Sequence, residues 1–283
     1  MFGILALLVL ILVVSQSSCL RTSRDARVVP VLQRAVQIRE PPTPQVDVSP
    51  QISKSMQATN KKLVDFAKEA LSLAFEGRPF AYFYALETIA RVPYFAYVSV
   101  LHLYETLGLF RRKEFVLLHF SESWNELHHL LIMESLGGNG RFADRFICQH
   151  MAFFYYWIVV FLYISAPAVA YDFNKHIENH AFETYSKYLS ENKDELQALP
   201  APQIAEDYYM KGDPFSHDPA QSSSIDSLRR GSVERIARGP AVIGNLYDVF
   251  CEIAKDEKEH ALTMERLSED ASLPCWLRNE CDV

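Results

Sequence analysis

Two Glu-x-x-His pairs stand out in this chain of 283 residues: Glu126/His129 in SESWNELHHLLIMESLGG and Glu257/His260 in AKDEKEHALTM. On a helix, residues three apart lie on one face about a turn apart, so each pair sets a carboxylate beside an imidazole. No other Glu in the chain has a His at that spacing. His128, next to His129, competes with it on residue type alone. Carboxylate oxygen and imidazole nitrogen together suit iron or manganese. Two further carboxylates complete a set, Glu87 in ALETIARVPYF and Glu178 in HIENHAFETY. One Glu from each of two helices, with a Glu-x-x-His from each of two others, is the donor pattern of a two-metal carboxylate site in a four-helix bundle. Four carboxylates would balance a pair of divalent ions and can bridge them. Two neutral imidazoles leave positions open for oxygen.

Neighbouring residues suit supporting roles. Asn125 and Asp256 each directly precede a candidate ligand Glu and could orient a ligand imidazole through its second ring nitrogen. Tyr185 lies seven residues after Glu178, two turns along the same face. A phenol there could supply an electron during O–O cleavage, or it could be a core tyrosine.

Positioning these groups requires long helices, and the sequence offers six. The first starts near Met56 and is stopped by Gly77 and Pro79. The second runs from about Tyr82 to Leu107, with Pro93 expected to kink it. The third spans about Arg112 to Leu136 and stops at Gly137-Gly138. The fourth runs from about Phe142 to Ser165, the fifth from about Ala168 to Ser190 and the last from about Ala241 to Leu267. The stretch from roughly 192 to 240, rich in proline and serine, reads as irregular. No strand-period alternation is present, and the fold class is all-α. The fourth helix contains MAFFYYWIVVFLYISA, apolar enough for a membrane span. Its clustered Tyr and Trp suit an interfacial helix as well, and a buried central helix is the third possibility.

Composition narrows the function. A net charge of −7 and a pI near 5.7 argue against nucleic-acid binding. Five cysteines without a C-x-x-C pair form neither a disulfide framework nor a zinc ribbon and suit a reducing compartment. The apolar MFGILALLVLILVV followed by SQSSC resembles a signal peptide over residues 1–19, with a retained anchor as the alternative. Residues 20–55 are Arg-rich and acid-poor at first, then proline-rich, which is like a transit peptide or a disordered linker. A signal peptide stacked on a transit peptide would suit import into a plastid bounded by extra membranes. The folded domain is expected over 56–272, with a surface insertion at 211–240 and a tail at 273–283.

The stretches LETIARVPYF, VLHLYETLG, HFSESWNELHHLLIMESLGG, DRFICQH, IENHAFETY, NLYDVF and DEKEH resemble the plastid terminal oxidases, relatives of the mitochondrial alternative oxidases. The resemblance runs from about residue 60 to 270 and is less close over 211–240. It implies a ferritin-like four-helix bundle with a di-iron site and two additional membrane-interfacial helices. It also implies a cyanide-insensitive plastoquinol:oxygen oxidoreductase that reduces O2 to water, pumps no protons, lies on one leaflet of the thylakoid membrane and can pair as a homodimer. Two iron ions per chain would bind Glu87, Glu126, His129, Glu178, Glu257 and His260. The resemblance thus prefers His129 over His128, Glu178 over Glu183, and Glu257 over Glu252 or Glu259. Functional neighbours would be Leu86, His102, Tyr163, Tyr185 and Asp256, with Tyr185 assisting O–O scission. His102, lone on an apolar face, otherwise reads as a core histidine.

Three other readings compete. A mitochondrial ubiquinol oxidase keeps the chemistry and changes the organelle. A ferritin-type iron-storage or ferroxidase protein would need a polar outer surface, to which the fourth helix is poorly suited. A metal-free helical membrane protein would use the same polar residues as a buried network.

Overall fold

The computed structural model describes residues 52–109, 111–211 and 241–270. The expected signal peptide, nearly all of the linker, the insertion beyond residue 211 and the tail lie outside them. Eight helices carry the described chain: α1 (Lys54–Ala74), α2 (Pro79–Thr106), α3 (Lys113–Ser135), α4 (Phe142–Ser165), α5 (Pro167–Glu191), α6 (Lys193–Ala198), α7 (Gln203–Lys211) and α8 (Leu246–Asp270). Strands are absent among the described residues. The fold is all-α, as expected.

Local chemistry sets the helix ends. The Ser53 hydroxyl accepts from the Met56 backbone N–H at 3.2 Å and caps α1 two residues before the expected start. Pro79 begins α2, where its missing N–H costs nothing. The helix continues through Pro93 as a single assigned element. At the end of α3, Gly137 takes φ 81° and donates to the Glu134 carbonyl, while Gly138 donates to Met133, both at 2.9 Å. This is a Schellman closure. A side chain on Gly138 would collide with the Phe80 carbonyl, so α3 stops where its last turn meets the start of α2.

Helices α2 and α3 pack along each other, as do α5 and α8, and together they make the bundle. Helix α1 lies against α5, and α4 against α2 and α5. Two apolar clusters occupy the bundle's ends. One gathers Phe83, Leu130, Met133, Tyr185 and Phe250, the other Tyr94, Tyr97, Leu118, Tyr171 and Met264. On α2 and α8 the first cluster precedes the second, and on α3 and α5 the order is reversed, so those two helices run antiparallel to the others. Between the clusters lies a polar layer. Burying each large apolar side chain contributes about 1.5–3 kcal/mol, and the two clusters offset a layer of buried charge that would not hold itself together.

Two expectations are corrected. The stretch after residue 192 is not wholly irregular, because α6 and α7 form in it. Leu196, Ala205 and Tyr208 bury apolar surface there, which outweighs the local turn signals. His102 is no core residue: its side chain is 74% exposed and 3.9 Å from Glu105, because it falls on the outer face of the last turns of α2.

Candidate metal centre

Helix α2 brings Glu87 into the polar layer, α3 brings Glu126 and His129, α5 brings Glu178, and α8 brings Glu257 and His260. All six are buried. Their donor atoms form two overlapping groups, each with all atoms within 4.8 Å of one another. One holds Glu87, Glu126, His129 and Glu257, the other Glu126, Glu178, Glu257 and His260. Glu126 and Glu257 are common to both. The two carboxylates of the Glu-x-x-His motifs thus sit where ions on either side could share them.

The donor atoms fit a metal pair better than they fit one another. Nδ1 of His129 lies 2.9 Å from Glu257 Oε1, and Nδ1 of His260 lies 2.8 Å from Glu126 Oε1. Glu87 Oε2, both oxygens of Glu126 and of Glu257, Glu178 Oε2 and His129 Nδ1 are nevertheless buried without a hydrogen bond of acceptable geometry. Their lone pairs converge on shared space. Unsatisfied buried oxygens of this kind are costly unless a cation neutralises them. Burial, reinforced by the Glu126 carboxylate, raises Glu87 to about 8. Burial likewise raises Glu126 to about 7, and it pushes Glu178 and Glu257 well up.

A surrounding network fixes the donors. His129 Nε2 donates to Asp256 Oδ2 at 3.3 Å, which turns Nδ1 inward. Burial opposes a charge on His129, but the Asp256 hydrogen bond and the Glu126 and Glu87 carboxylates outweigh it and raise its pKa. Asp256 Oδ2 also accepts from Asn125 Nδ2 at 2.9 Å and from the Tyr209 hydroxyl at 3.1 Å, while Asn125 donates to the Tyr208 hydroxyl at 2.8 Å. Asp256 therefore lies against the second ring nitrogen of an imidazole in the donor cluster. Asn125 acts on Asp256 instead of directly on a ring.

The Tyr185 hydroxyl donates to Glu87 Oε1, so the phenol sits at the centre. Burial, then Glu87, raises its pKa well above the ordinary tyrosine value, which keeps the proton on the oxygen. Tyr94 does the same from the opposite side, donating to Glu178 Oε1 at 2.7 Å. Tyr94 follows Glu87 by seven residues, as Tyr185 follows Glu178. The same spacing would have found it. Tyr208 and Tyr209 had no such signal, because they come from α7.

Other candidates fall outside the cluster. His128 turns away, donating Nδ1–H to the Trp124 carbonyl at 2.8 Å and stacking on Tyr208. Glu183 lies on the surface 3.7 Å from Lys68, and Glu252 pairs with Lys255. Glu259 is absent from both donor groups. Leu86 is buried beside Glu87, and Tyr163 bonds to Tyr171 away from the six donors. Cys148 and Cys251 carry free thiols.

Comparison with known proteins identifies the family. The family model described as "Alternative oxidase" matches residues 35–269. The chain is 50% identical over 213 residues to "Ubiquinol oxidase 4, chloroplastic/chromoplastic" of Arabidopsis thaliana, covering 75% of this chain and 58% of that protein. It is 30% identical over 148 residues to "Alternative oxidase, mitochondrial" of Cryptococcus neoformans var. grubii, covering 51% and 35%. To "Ubiquinol oxidase, mitochondrial" of Mangifera indica it is 27% identical over 125 residues, covering 44% and 39%. The chain thus spans less than two thirds of the length of each of these relatives. With four carboxylates and two imidazoles converging in a four-helix bundle, and the family model matching most of its length, the chain belongs to the alternative oxidase family.

Proposed function

We propose that this chain is a di-iron quinol:oxygen oxidoreductase that oxidises plastoquinol and reduces O2 to water, is insensitive to cyanide and pumps no protons. The observation that carries this reading is the buried convergence of the six donors. Two irons per chain would be held by Glu126 and Glu257 in common, with Glu87 and His129 on one side and Glu178 and His260 on the other. When bound, the iron pair accepts electrons from quinol and passes them to oxygen.

The chain's own residues do the rest. Asp256 holds His129 in the tautomer that offers Nδ1. Tyr185, held on Glu87 Oε1, keeps an O–H at the site that can be given up during O–O scission. Leu86 lends an apolar wall beside Glu87, where a quinol ring would approach from the bilayer. The packed clusters above and below the layer exclude bulk water.

The membrane part of the reading rests on α4 and α1. Helix α4 meets the length and apolarity of a span, but only 22% of its apolar window is buried. Phe146, Phe153, Phe154, Trp157, Ile158 and Phe161 are exposed on it, as are Leu63, Phe66 and Leu73 on α1. The neighbouring bundle exposes Lys187 and Glu191, so embedding the whole molecule would strand charges in lipid. A single leaflet resolves the conflict. We propose a plastid, and within it the thylakoid membrane where plastoquinol resides, because the 50% identical relative is named as chloroplastic and the mitochondrial ones match less; a homodimer is part of the same proposal. The exposed apolar row also disfavours a storage shell.

The test is oxygen consumption by purified, iron-loaded protein given plastoquinol and ubiquinol analogues in parallel, with and without cyanide. Two irons per chain and cyanide-resistant uptake, faster with plastoquinol, are expected. Full activity in Glu126→Ala or Glu257→Ala overturns the ligand set.

A further inference from the structure

A second buried polar chain lies beside the metal layer and takes no part in holding the donors. The Tyr163 hydroxyl on α4 is 2.7 Å from the Tyr171 hydroxyl on α5. Tyr171 is 2.9 Å from His119 Nε2 on α3, and His119 Nδ1 is 3.2 Å from Glu122 Oε2. Relative exposure falls along the series, from 5% at Tyr163 to 1% at Tyr171 and 0% at His119 and Glu122. Glu122 lies one helical turn before Glu126 on the same face of α3. Its other oxygen, Oε1, is buried without a hydrogen-bond partner. The rings of Tyr97 and Phe115 pack around the series.

Three contacts in a row between groups that both donate and accept protons, ending on a carboxylate with one buried oxygen unsatisfied, exceed what packing needs. Apolar residues of similar shape would fill this space without the desolvation penalty. We infer that Tyr163, Tyr171, His119 and Glu122 form a proton relay running from the α4 side of the bundle to the edge of the metal layer. The inference rests on the oxygen-reducing reading, because water formation consumes protons that must reach a site closed to bulk solvent.

One arrangement of protons makes every contact point inward. Tyr163 donates to Tyr171, Tyr171 donates to His119 Nε2, and His119 Nδ1–H donates to Glu122. A proton entering at Tyr163 then moves one proton along each link. Glu122 becomes the neutral acid and passes its proton to the oxygen being reduced one turn away. Only O–H and N–H bonds are made and broken, no electron moves along the series, and each phenol and the imidazole end neutral. Rotation of the two hydroxyls and a flip of the imidazole ring, which brings its N–H back toward Glu122, reset it. Tyr163, Tyr171 and His119 act on the chemistry through Glu122 and are positioning residues for protons.

The test uses the full chain with His119→Gln, which keeps a donor and an acceptor but cannot relay a proton, and Tyr171→Phe. The relay predicts unchanged metal content, a folded protein with a lowered melting temperature from the lost buried hydrogen bonds, a turnover lower by roughly a hundredfold in each variant when assayed well below that temperature, and a larger solvent deuterium isotope effect than in the wild type. Wild-type turnover in either variant overturns it, as does a loss of activity that follows loss of metal. Independently of activity, nitrogen-15 NMR of metal-free protein should find His119 protonated on Nδ1, with Nε2 accepting. A fixed Nε2–H tautomer overturns the inward direction. If wild-type iron-loaded protein consumes no oxygen with any quinol, the proposed function falls, and the His119 tautomer still decides the relay by itself.

Discussion

The two halves of the centre, α2 with α3 and α5 with α8, are built on one plan but supported differently. Each half supplies one lone Glu and one Glu-x-x-His pair. Each lone Glu is followed seven residues later by a tyrosine that reaches across to the other half's lone Glu, Tyr94 to Glu178 and Tyr185 to Glu87. The residues before the motif Glu differ, Asn125 in one half and Asp256 in the other, and they bond to each other. Asp256 holds His129, and both α7 tyrosines lean on this corner: Tyr209 donates to Asp256 and Tyr208 accepts from Asn125. A repeated scaffold therefore places the donors, while unrepeated residues decide how firmly each is held.

That comparison can be broken in several places, the largest effect first. Glu126→Ala and Glu257→Ala should each empty the centre, because both donor groups share these carboxylates. Metal analysis should find a similar loss in both, and a variant retaining two irons would show that the groups are not shared. Asp256→Ala should cost 10–100-fold in metal affinity or turnover, about the scale for removing a group that orients a ligand histidine. Asn125→Ala should cost less, since it touches Asp256 and not an imidazole.

The tyrosine pair tests the symmetry more finely. Tyr94→Phe and Tyr185→Phe each remove a buried hydrogen bond to a carboxylate, and denaturant unfolding should show a loss of about 1.5–3 kcal/mol in each. Turnover should fall in both. Wild-type turnover in Tyr94→Phe would confine the chemistry to Tyr185.

The metal-free protein should be pH-sensitive in a stated direction. Glu87 is raised from 4.5 to about 8 by burial and by Glu126, so the folded state binds its proton more tightly than the unfolded chain. The resulting stabilisation is complete below pH 4.5 and is lost as pH rises through 8. Melting temperatures of metal-free protein should fall across that window. Iron loading should remove the dependence, because bound iron holds the carboxylates ionised. At the small end, His102→Ala should change stability by less than about 0.5 kcal/mol, the range for a largely exposed side chain. A substantial loss of turnover there, with metal content unchanged, would give the surface of α2 a role that its packing does not.

The number and identity of the long helices were legible because amphipathic periodicity and glycine or proline stops are local signals. The spacing Glu-x-x-His was legible for the same reason, since 3.6 residues per turn fixes which side chains share a face. His128 and His129 were harder to separate, because adjacent positions differ only by rotation about the helix axis. Packing decided between them, sending one ring against Tyr208 and the other into the donor cluster. His102 went the other way: its apolar neighbours Val100 and Leu101 do enter the core, but His102 falls on the opposite face of α2.

The sequence by itself determined the helices, the two motif pairs, the two lone carboxylates and the seven-residue step that sets a tyrosine on the same helix face as each of them. These depend on intervals of at most two helical turns. Only the tertiary structure decided that Glu126 and Glu257 are shared, that Asp256 serves His129 across 127 residues, and that Tyr208 and Tyr209 close the corner. It alone joined Tyr163 to Glu122 through Tyr171 and His119. Helix geometry fixes which residues share a face. Which faces meet, and at what height along the bundle, is set by burying the two apolar clusters at once, and no interval in the chain encodes that.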